Sequence, residues 1–446
     1  MDDPLAPRLL LNVDGAGRAL YQGPLRIRRG DSVADADGEL QFVWRPSPWI
    51  RYVCTFGDGI PGALDPFVPG EVSVELVGPA LIPAGDLPVA REPDEFAANG
   101  SYHSDRMPRG YMFGSASDEV QMAEFHLVNG PNVVPPKPLR RADGSGAYRG
   151  RFHLYGQIWK ITLDAHPDIS LDDYVRHLAE QRAFGPTHIG LLERADGRLF
   201  DADFAREGLD LLFTTLSFCR GALTGPSLPM GIDEDGSARW LSLETLLADE
   251  WEGRFSWCDR LMGSSIESVF ARFEACWLDT FRREVLSRVV RYYVEANSAP
   301  VEKGLILGQA ALELLSWAVL VELQGTQTRA NLKGRAAKDN VRDLLRWAGI
   351  NLDISDPRVA HKFAGLMSAY PEADRDGPAL TTWARNRIAH PERDVPSLQG
   401  APLVNAWQLT LFYLELVILR FVEYHGVFSN RLTSQWTGEH ERVPWD

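Results

Sequence analysis

The sequence predicts an α+β protein in which a β-rich N-terminal domain with a helical lobe precedes an all-α antiparallel helical bundle. In the first part of the chain apolar and polar residues alternate, as at Leu40, Phe42 and Trp44, which is typical of half-buried strands. Further on, apolar residues recur every three or four positions, which indicates amphipathic helices. Towards the C-terminus these helices become long and strongly apolar, with short polar connections, which favours a bundle.

The N-terminal domain is predicted to span residues 1–262, with a β-rich part over 1–168 and a mixed α/β part over 169–262. Proline and glycine interrupt the strands densely, as in the stretch FGDGIPGALDPFVPGE. Such punctuation marks turns and loops. We therefore expect a sandwich or barrel-like domain with long loops.

The helical lobe is predicted from two segments of the mixed part. Ser170, followed three residues later by Asp173, indicates a capping box at the start of one helix. A second helix is predicted over Asp203–Arg220. The acidic stretch Asp233–Gly236 predicts a hairpin turn, because its glycine and later ligands fall at the wrong offsets for a calcium-binding loop.

The helical bundle is predicted over residues 263–435, with a C-terminal tail over 436–446. Its first helix is expected to run from Ser265 to Glu295, because apolar residues step by three and four along it and Pro300 follows. Further helices are predicted at Glu302–Leu323, Gly334–Ala348, Pro357–Ala369, Pro378–His390 and Pro402–Tyr424.

The net charge of −15 is unevenly distributed along the 446 residues. Residues 263–446 hold 21 Lys and Arg against 22 Asp and Glu, whereas residues 1–262 hold 25 against 39. A uniformly acidic surface would repel nucleic acid, because affinity for phosphate depends largely on Lys and Arg. The near-neutral C-terminal part can still present a locally basic surface to phosphate.

The cysteine usage and the N-terminal residues predict a cytoplasmic protein. The four cysteines form no CxxC pair, which argues against a zinc site and a disulfide framework. The first residues, MDDPLAPRLL, are acidic and contain only a short apolar run, unlike a signal peptide. The histidines lack metal-ligand spacing, so we expect no metal site.

Two apolar segments, Gly304–Val321 and Ala401–Val422, have the length of membrane spans. Each carries a glutamate near its middle, Glu313 and Glu415. A charge at the centre of a bilayer costs about 2.5–3.5 kcal/mol on insertion scales. We therefore expect two buried bundle helices and no membrane, with a pair of membrane spans as the alternative.

A candidate site lies in the stretch WARNRIAHPE, which holds Arg385, Asn386 and His390. Asn386 and His390 are four residues apart and therefore share one helix face, which the long Arg385 side chain can also reach. Pro391 disfavours helical geometry at His390 and so ends the helix there. The helix dipole at this C-terminal end favours a protonated imidazole.

These residue types suit the cleavage of RNA without a metal. A histidine can take the proton of a ribose 2′-hydroxyl or give one to the departing 5′-oxygen. An arginine can hold the phosphate and offset its charge in the transition state. The sequence contains two further Arg–His spacings of this kind, Arg182–His188 in a predicted loop and Arg420–His425 at a helix end. Neither has the polar residue directly after the arginine.

The motif Arg385-Asn386-x-x-x-His390 resembles the signature of HEPN domains, which are small helical bundles that often act as metal-independent ribonucleases. The helix containing GQAALELL resembles an earlier core helix of that family, with Glu313 where an acidic residue often occurs. The layout of the chain resembles ApeA-type anti-phage proteins, in which an N-terminal domain of strands and helices precedes a HEPN bundle. The resemblance is strongest over residues 265–430.

By this resemblance, Arg385, Asn386 and His390 form the catalytic motif of an endoribonuclease, supported by Glu313. It implies a homodimer or a higher homo-oligomer, no cofactor, products with 2′,3′-cyclic phosphate and 5′-hydroxyl ends, and a role in abortive infection. It also implies transfer RNA as the substrate, with messenger and ribosomal RNA as alternatives, and a phage-derived trigger as a partner. The family also includes inactive bundles, so a non-catalytic protein for dimerisation or partner binding is the alternative.

A second candidate surface lies in the segment RANLKGRAAKDNVRDLLR. On one helix, Arg335, Lys338, Arg342 and Arg346 would step by three and four residues and form a basic stripe. The stripe is predicted to guide the RNA backbone towards His390. An ordinary solvated helix face is the alternative interpretation.

Overall fold

The protein is a mixed α+β protein with a large antiparallel sheet. The computed structural model describes residues 2–13, 17–29, 31–44, 48–55, 73–76, 112–140, 146–166, 169–243, 247–390 and 398–446. The proline- and glycine-rich stretch quoted above lies outside these residues.

The chain divides into two compact units. An N-terminal unit comprises Met1–Phe213 and Thr224–Gly253, and a C-terminal unit comprises Thr214–Leu223 and Arg254–Asp446. The division thus comes before the boundary expected at residue 262. It also assigns the end of one long helix to the C-terminal unit.

The described residues of the N-terminal unit form two antiparallel sheets. Their strand orders are β3-β2-β1-β4 and β5-β12-β11-β6-β10-β9-β8-β7. The strands are β1 (Arg18–Arg29), β2 (Ser32–Val43), β3 (Trp49–Thr55), β4 (Ser73–Leu76), β5 (Met112–Gly114), β6 (Met122–Val128), β7 (Lys137–Arg140), β8 (Ala147–Tyr155), β9 (Trp159–Ala165), β10 (Pro186–Arg194), β11 (Gly225–Ile232) and β12 (Ala238–Ser242).

One hydrophobic cluster contains residues of both sheets. Leu40 and Phe42 come from the smaller sheet, and Phe113 and Leu241 come from the larger one. The predicted alternation on β2 is confirmed, because Leu40 and Phe42, with Trp44 just beyond the strand, are all buried. The two sheets therefore share one core, as in a sandwich.

Residues 169–262, which were predicted as a mixed α/β part, share a sheet with the β-rich part that precedes them. Their strands β10, β11 and β12 pair within the same sheet as β5–β9. Their helices are α1 (Leu171–Gln181) and α2 (Ala202–Arg220). The capping box expected at Ser170 is not formed, because the serine side chain makes no capping hydrogen bond. The predicted hairpin turn between β11 and β12 is confirmed.

The C-terminal unit consists mainly of helices, together with a small antiparallel sheet of β13 (Val427–Ser429) and β14 (His440–Arg442). The sheet was not expected from the sequence, and residues predicted as a tail contribute β14 to it. The helices are α3 (Gly263–Trp277), α4 (Thr280–Ser298), α5 (Val301–Trp317, continued by a π-helical turn at Ala318–Leu323), α6 (Arg329–Gly334), α7 (Ala337–Ala348), α8 (Ala360–Ala369), α9 (Gly377–Ala389) and α10 (Ala401–Phe421).

The single helix predicted over 265–295 is wrong, because α3 and α4 are separate helices. The break lies at Leu278 and Asp279. The Asp279 carboxylate accepts a hydrogen bond of 2.9 Å from the backbone N–H of Arg282. A side chain that satisfies a free N–H in this way caps a new helix. The three-and-four spacing of apolar residues therefore continues from one helix into the next and does not reveal the boundary between them.

Two described helical segments, Val301–Leu323 and Ala401–Phe421, have the length and composition of membrane spans. Their most apolar stretches are 61% and 67% buried within the protein. Core helices of soluble proteins have the same length and composition, so these two properties do not identify a span. The interpretation as buried bundle helices stays a prediction.

Two buried histidines on β6 and β10 make the N-terminal unit sensitive to acid. Burial, reinforced by the nearby His166, lowers the pKa of His126 to about 4 and the pKa of His188 to about 3. Both imidazoles are neutral in the folded unit, but they titrate near pH 6.5 in an unfolded chain. The unfolded state therefore binds more protons, and stability decreases as the pH falls from about 6.5 towards these values.

We predict that His188→Gln makes the stability less dependent on pH. Through His188 alone, the wild-type protein should lose about 2 kcal/mol of unfolding free energy between pH 7 and pH 5. Over the same pH range, the unfolding free energy of the variant should fall by about 2 kcal/mol less than that of the wild-type protein. Urea unfolding at both pH values measures the difference. His177→Gln, at an exposed position of α1, is the matched control. An unchanged pH dependence in His188→Gln would contradict the assignment.

Candidate functional site

Helix α9 carries the candidate motif and is fixed at its N-terminus by a charged cap. The Asp376 carboxylate accepts a hydrogen bond of 2.9 Å from the N–H of Ala379. Arg342 on α7 donates two further hydrogen bonds to this carboxylate, of 2.6 Å and 3.1 Å. Pro378 occupies the first turn, where a missing N–H costs nothing. The start of α9 is therefore held both by its own cap and by α7.

Arg385 lies between two polar partners. Its Nη2 donates to Glu313 Oε1 on α5 at 2.8 Å, and its Nη1 donates to Asn386 Oδ1 at 3.0 Å. The Arg385 side chain is 24% exposed and the Glu313 side chain 37% exposed. A guanidinium has five N–H donors, so the two hydrogen bonds leave others for a ligand. The pair is thus ordered and also open to solvent.

His390 follows Asn386 by one helical turn and caps the C-terminus of α9. Its backbone N–H donates to the Asn386 carbonyl at 2.8 Å, and the residue is exposed. The backbone leaves helical geometry at this residue, with φ −133° and ψ 78°. Pro391, which was expected to end the helix, lies outside the described residues. The structure thus brings Glu313, Arg385 and Asn386 into contact and places His390 one turn further on.

A buried glutamine that the sequence analysis missed joins α5 to α9. Gln309 is fully buried, and its Nε2 donates to Thr382 Oγ1 at 3.3 Å. It lies one turn before Glu313 on α5, so both residues hold the same neighbouring helix. The only sequence signal is its place four residues before Glu313 in GQAALELL, which identifies a shared face but not the partner.

The four residues of the expected basic stripe do not form one helical stripe. Arg335 lies between α6 and α7, whereas Lys338, Arg342 and Arg346 lie on α7. The four cations face carboxylates, which are Asp339, Asp343, Glu372, Asp374 and Asp376.

The ion pairs around α7 also shift the pKa values of their members. Hydrogen bonds to Glu372 and Asp374 raise the pKa of Lys338 above its usual value. The Arg342 guanidinium holds the pKa of Asp374 well below its usual range. Charges satisfied in this way add little net positive potential for phosphate. The geometry favours a structural role for Arg342, which is 12% exposed at its side chain.

The other two Arg–His spacings are engaged elsewhere. Arg182 caps the end of α1 in the left-handed conformation, and His188 is fully buried. The Arg420 guanidinium lies over the rings of two tryptophans. His425 forms a hydrogen bond of 2.6 Å with the Asp446 carboxylate. Within the described ranges, no group of three or more His, Cys, Asp or Glu side chains could hold a metal ion.

Comparison with known proteins assigns both units to one family. Residues 115–254 match the YopA central domain, and residues 279–442 match the YopA C-terminal domain. The chain is 30% identical over 335 residues to the "SPbeta prophage-derived uncharacterized protein YopA" of Bacillus subtilis (strain 168), covering 74% of this chain and 73% of that protein. The chain belongs to the YopA family. No solved structure matches it.

The family match places the candidate site in one domain. Glu313, Arg385, Asn386 and His390 all lie within the stretch that matches the YopA C-terminal domain. The eight-stranded sheet lies largely within the stretch that matches the central domain.

We predict that Arg342→Gln destabilises the protein by about 2–3 kcal/mol, because it leaves the Asp376 cap of α9 without its cation and removes one of the two cations that face Asp374. Chemical denaturation followed by helical circular dichroism measures the change. Arg346→Gln on the same helix is the control, since its side chain is 62% exposed and an exposed pair contributes less than about 1 kcal/mol. Equal effects of the two substitutions would contradict the structural role of Arg342.

Proposed function

We propose that this YopA-family protein is a metal-independent RNA endonuclease with a HEPN-like C-terminal bundle. The contact of Glu313 with Arg385, and of Arg385 with Asn386, supports this proposal most directly. It orders an arginine at the surface, five residues before an exposed histidine. These are the groups that the HEPN-like motif requires for phosphate binding and proton transfer.

His390 takes the proton of a ribose 2′-hydroxyl or protonates the departing 5′-oxygen. The 2′-oxygen attacks the adjacent phosphorus, the bond to the 5′-oxygen breaks, and the products carry 2′,3′-cyclic phosphate and 5′-hydroxyl ends. Arg385 donates its remaining N–H groups to the phosphate and offsets the added charge. Asn386 and Glu313 keep the guanidinium in place, so that its side chain loses less conformational entropy when RNA binds.

A homodimer would bring two such sites together and supply both an acid and a base. Helices α5 and α10, of which α5 carries Glu313, expose apolar side chains, including Ile306 and Val404, each 39% exposed. Exposed apolar side chains suit a contact with a second copy. Dimerisation is part of the proposal.

The biological role that we propose is defence against phage by abortive infection, in the cytoplasm and without a cofactor. Transfer RNA is the proposed substrate, and the acidic N-terminal domain is the proposed sensor of a phage-derived trigger. The relative in Bacillus subtilis is described as prophage-derived, which fits a function in conflict between phages. The bundle itself carries a charge near neutrality, which permits RNA binding.

A non-catalytic bundle for dimerisation or partner binding is the second candidate. The observation that favours it is the satisfaction of charge at and near the site. Arg385 is engaged by Glu313 and Asn386, and the cations on and beside α7 face carboxylates. In this case the motif would stabilise the fold and would bind no phosphate.

The proposed activity is tested by incubating total RNA with purified protein in EDTA and mapping the fragment ends. We predict cleavage with cyclic-phosphate ends, reduced about 10²–10⁴-fold in His390→Ala. His425→Ala is the matched control, because His425 also follows an arginine at a helix end but bonds to Asp446. Cleavage that survives in His390→Ala would reject this mechanism. No cleavage by the wild-type protein, even with lysate of infected cells, would favour the non-catalytic bundle.

A further inference from the structure

Trp317 ends α5 one helical turn after Glu313 and therefore lies on the same helix face as the candidate site. Its side chain is partly exposed. The Arg329 guanidinium and the Lys333 ammonium, both from α6, lie 5.9 Å and 5.7 Å from the centre of the indole ring. An aromatic ring with two cations beside it thus lies one helical turn beyond Glu313.

These two cations differ from those around α7. Arg329 is 71% exposed and pairs with Glu322, which also accepts the indole N–H of Trp317 at 3.0 Å. Lys333 is exposed, and it forms no ion pair within the described ranges. The hydrogen bond to Glu322 fixes the plane of the ring, while the two cations outnumber the one carboxylate. Positive charge in excess is therefore present beside Trp317.

We propose that Trp317, Arg329 and Lys333 form a binding site for one unpaired nucleotide of RNA, next to the Arg385 site. The base stacks on the indole ring, and its phosphate lies between the two cations. A base stacked on an aromatic side chain binds more strongly than an exposed cation–π contact. The base can therefore replace a cation on the ring face and leave that cation free to reach the phosphate.

This inference rests on the proposed function, because it takes RNA as the substrate, and it adds a requirement for the structure of that RNA. A base within a duplex is stacked on both faces and cannot lie on Trp317. The nucleotide beside the cut is therefore single-stranded. Loops and single-stranded segments are preferred over helices.

Binding of a labelled single-stranded RNA, measured by fluorescence anisotropy in the His390→Ala background, tests the site without cleavage. We expect Trp317→Ala to weaken binding about 10-fold and Trp317→Phe to retain most of it. Trp436→Ala is the matched control, since that tryptophan is 74% exposed. Equal affinities of Trp317→Ala and Trp436→Ala would overturn the proposal, as would the absence of any RNA binding by the His390→Ala parent.

Two further measurements separate stacking from a structural role. An RNA that lacks the base at the bound position should bind the His390→Ala parent as weakly as it binds Trp317→Ala, because no stack remains to be lost. Replacing both Arg329 and Lys333 with glutamine removes one phosphate contact. The slope of log K against the logarithm of the salt concentration should therefore become less steep by about 0.7. A Trp317→Ala effect that persists with the abasic RNA would overturn stacking.

The outcomes distinguish this inference from the proposed activity. Trp317-dependent binding without any cleavage would support the site and reject the ribonuclease. Cleavage that depends on His390, together with binding that is independent of Trp317, would support the ribonuclease and reject the site.

Discussion

The apolar helical segments Val301–Leu323 and Ala401–Phe421 each carry near the middle a glutamate that pairs with an arginine. Glu415 on α10 lies in the core and receives two hydrogen bonds from Arg431, with side chains that are only 2% and 1% exposed. Tyr293 also donates to it at 2.6 Å, and Asn297 accepts from Arg431. Because a buried charge without partners costs several kcal/mol, this network fixes α4, α10 and the loop after β13 relative to one another.

The second carboxylate, Glu313 on α5, is compensated at the surface. Its partner Arg385 lies on α9, and both side chains remain partly open to solvent. An exposed ion pair contributes little to stability, in the range of about 0–1 kcal/mol. The geometry therefore assigns the two glutamates different roles. Glu415 stabilises the fold, whereas Glu313 holds an arginine that binds phosphate in the proposed function.

The sequence predicted local structure well and long-range pairing poorly. Proline and the apolar period located α9 within a residue at each end, because these signals act within one helical turn. The carboxylate partners of Arg342 lie up to 34 residues away, and the partner of Arg385 lies 72 residues away. No local pattern encodes such contacts, so the basic stripe looked unpaired. The break before α4 was predictable from Asp279, but the continuing apolar period concealed it.

A comparison of Glu313→Gln with Glu415→Gln tests the division of roles most directly, with the unfolding free energy and the RNA-cleavage rate measured for both. The account predicts that Glu415→Gln loses about 3–5 kcal/mol of stability. It predicts that Glu313→Gln loses less than about 1 kcal/mol but cleaves RNA more slowly. Large destabilisation by Glu313→Gln, or an unchanged cleavage rate in that variant, would contradict the account.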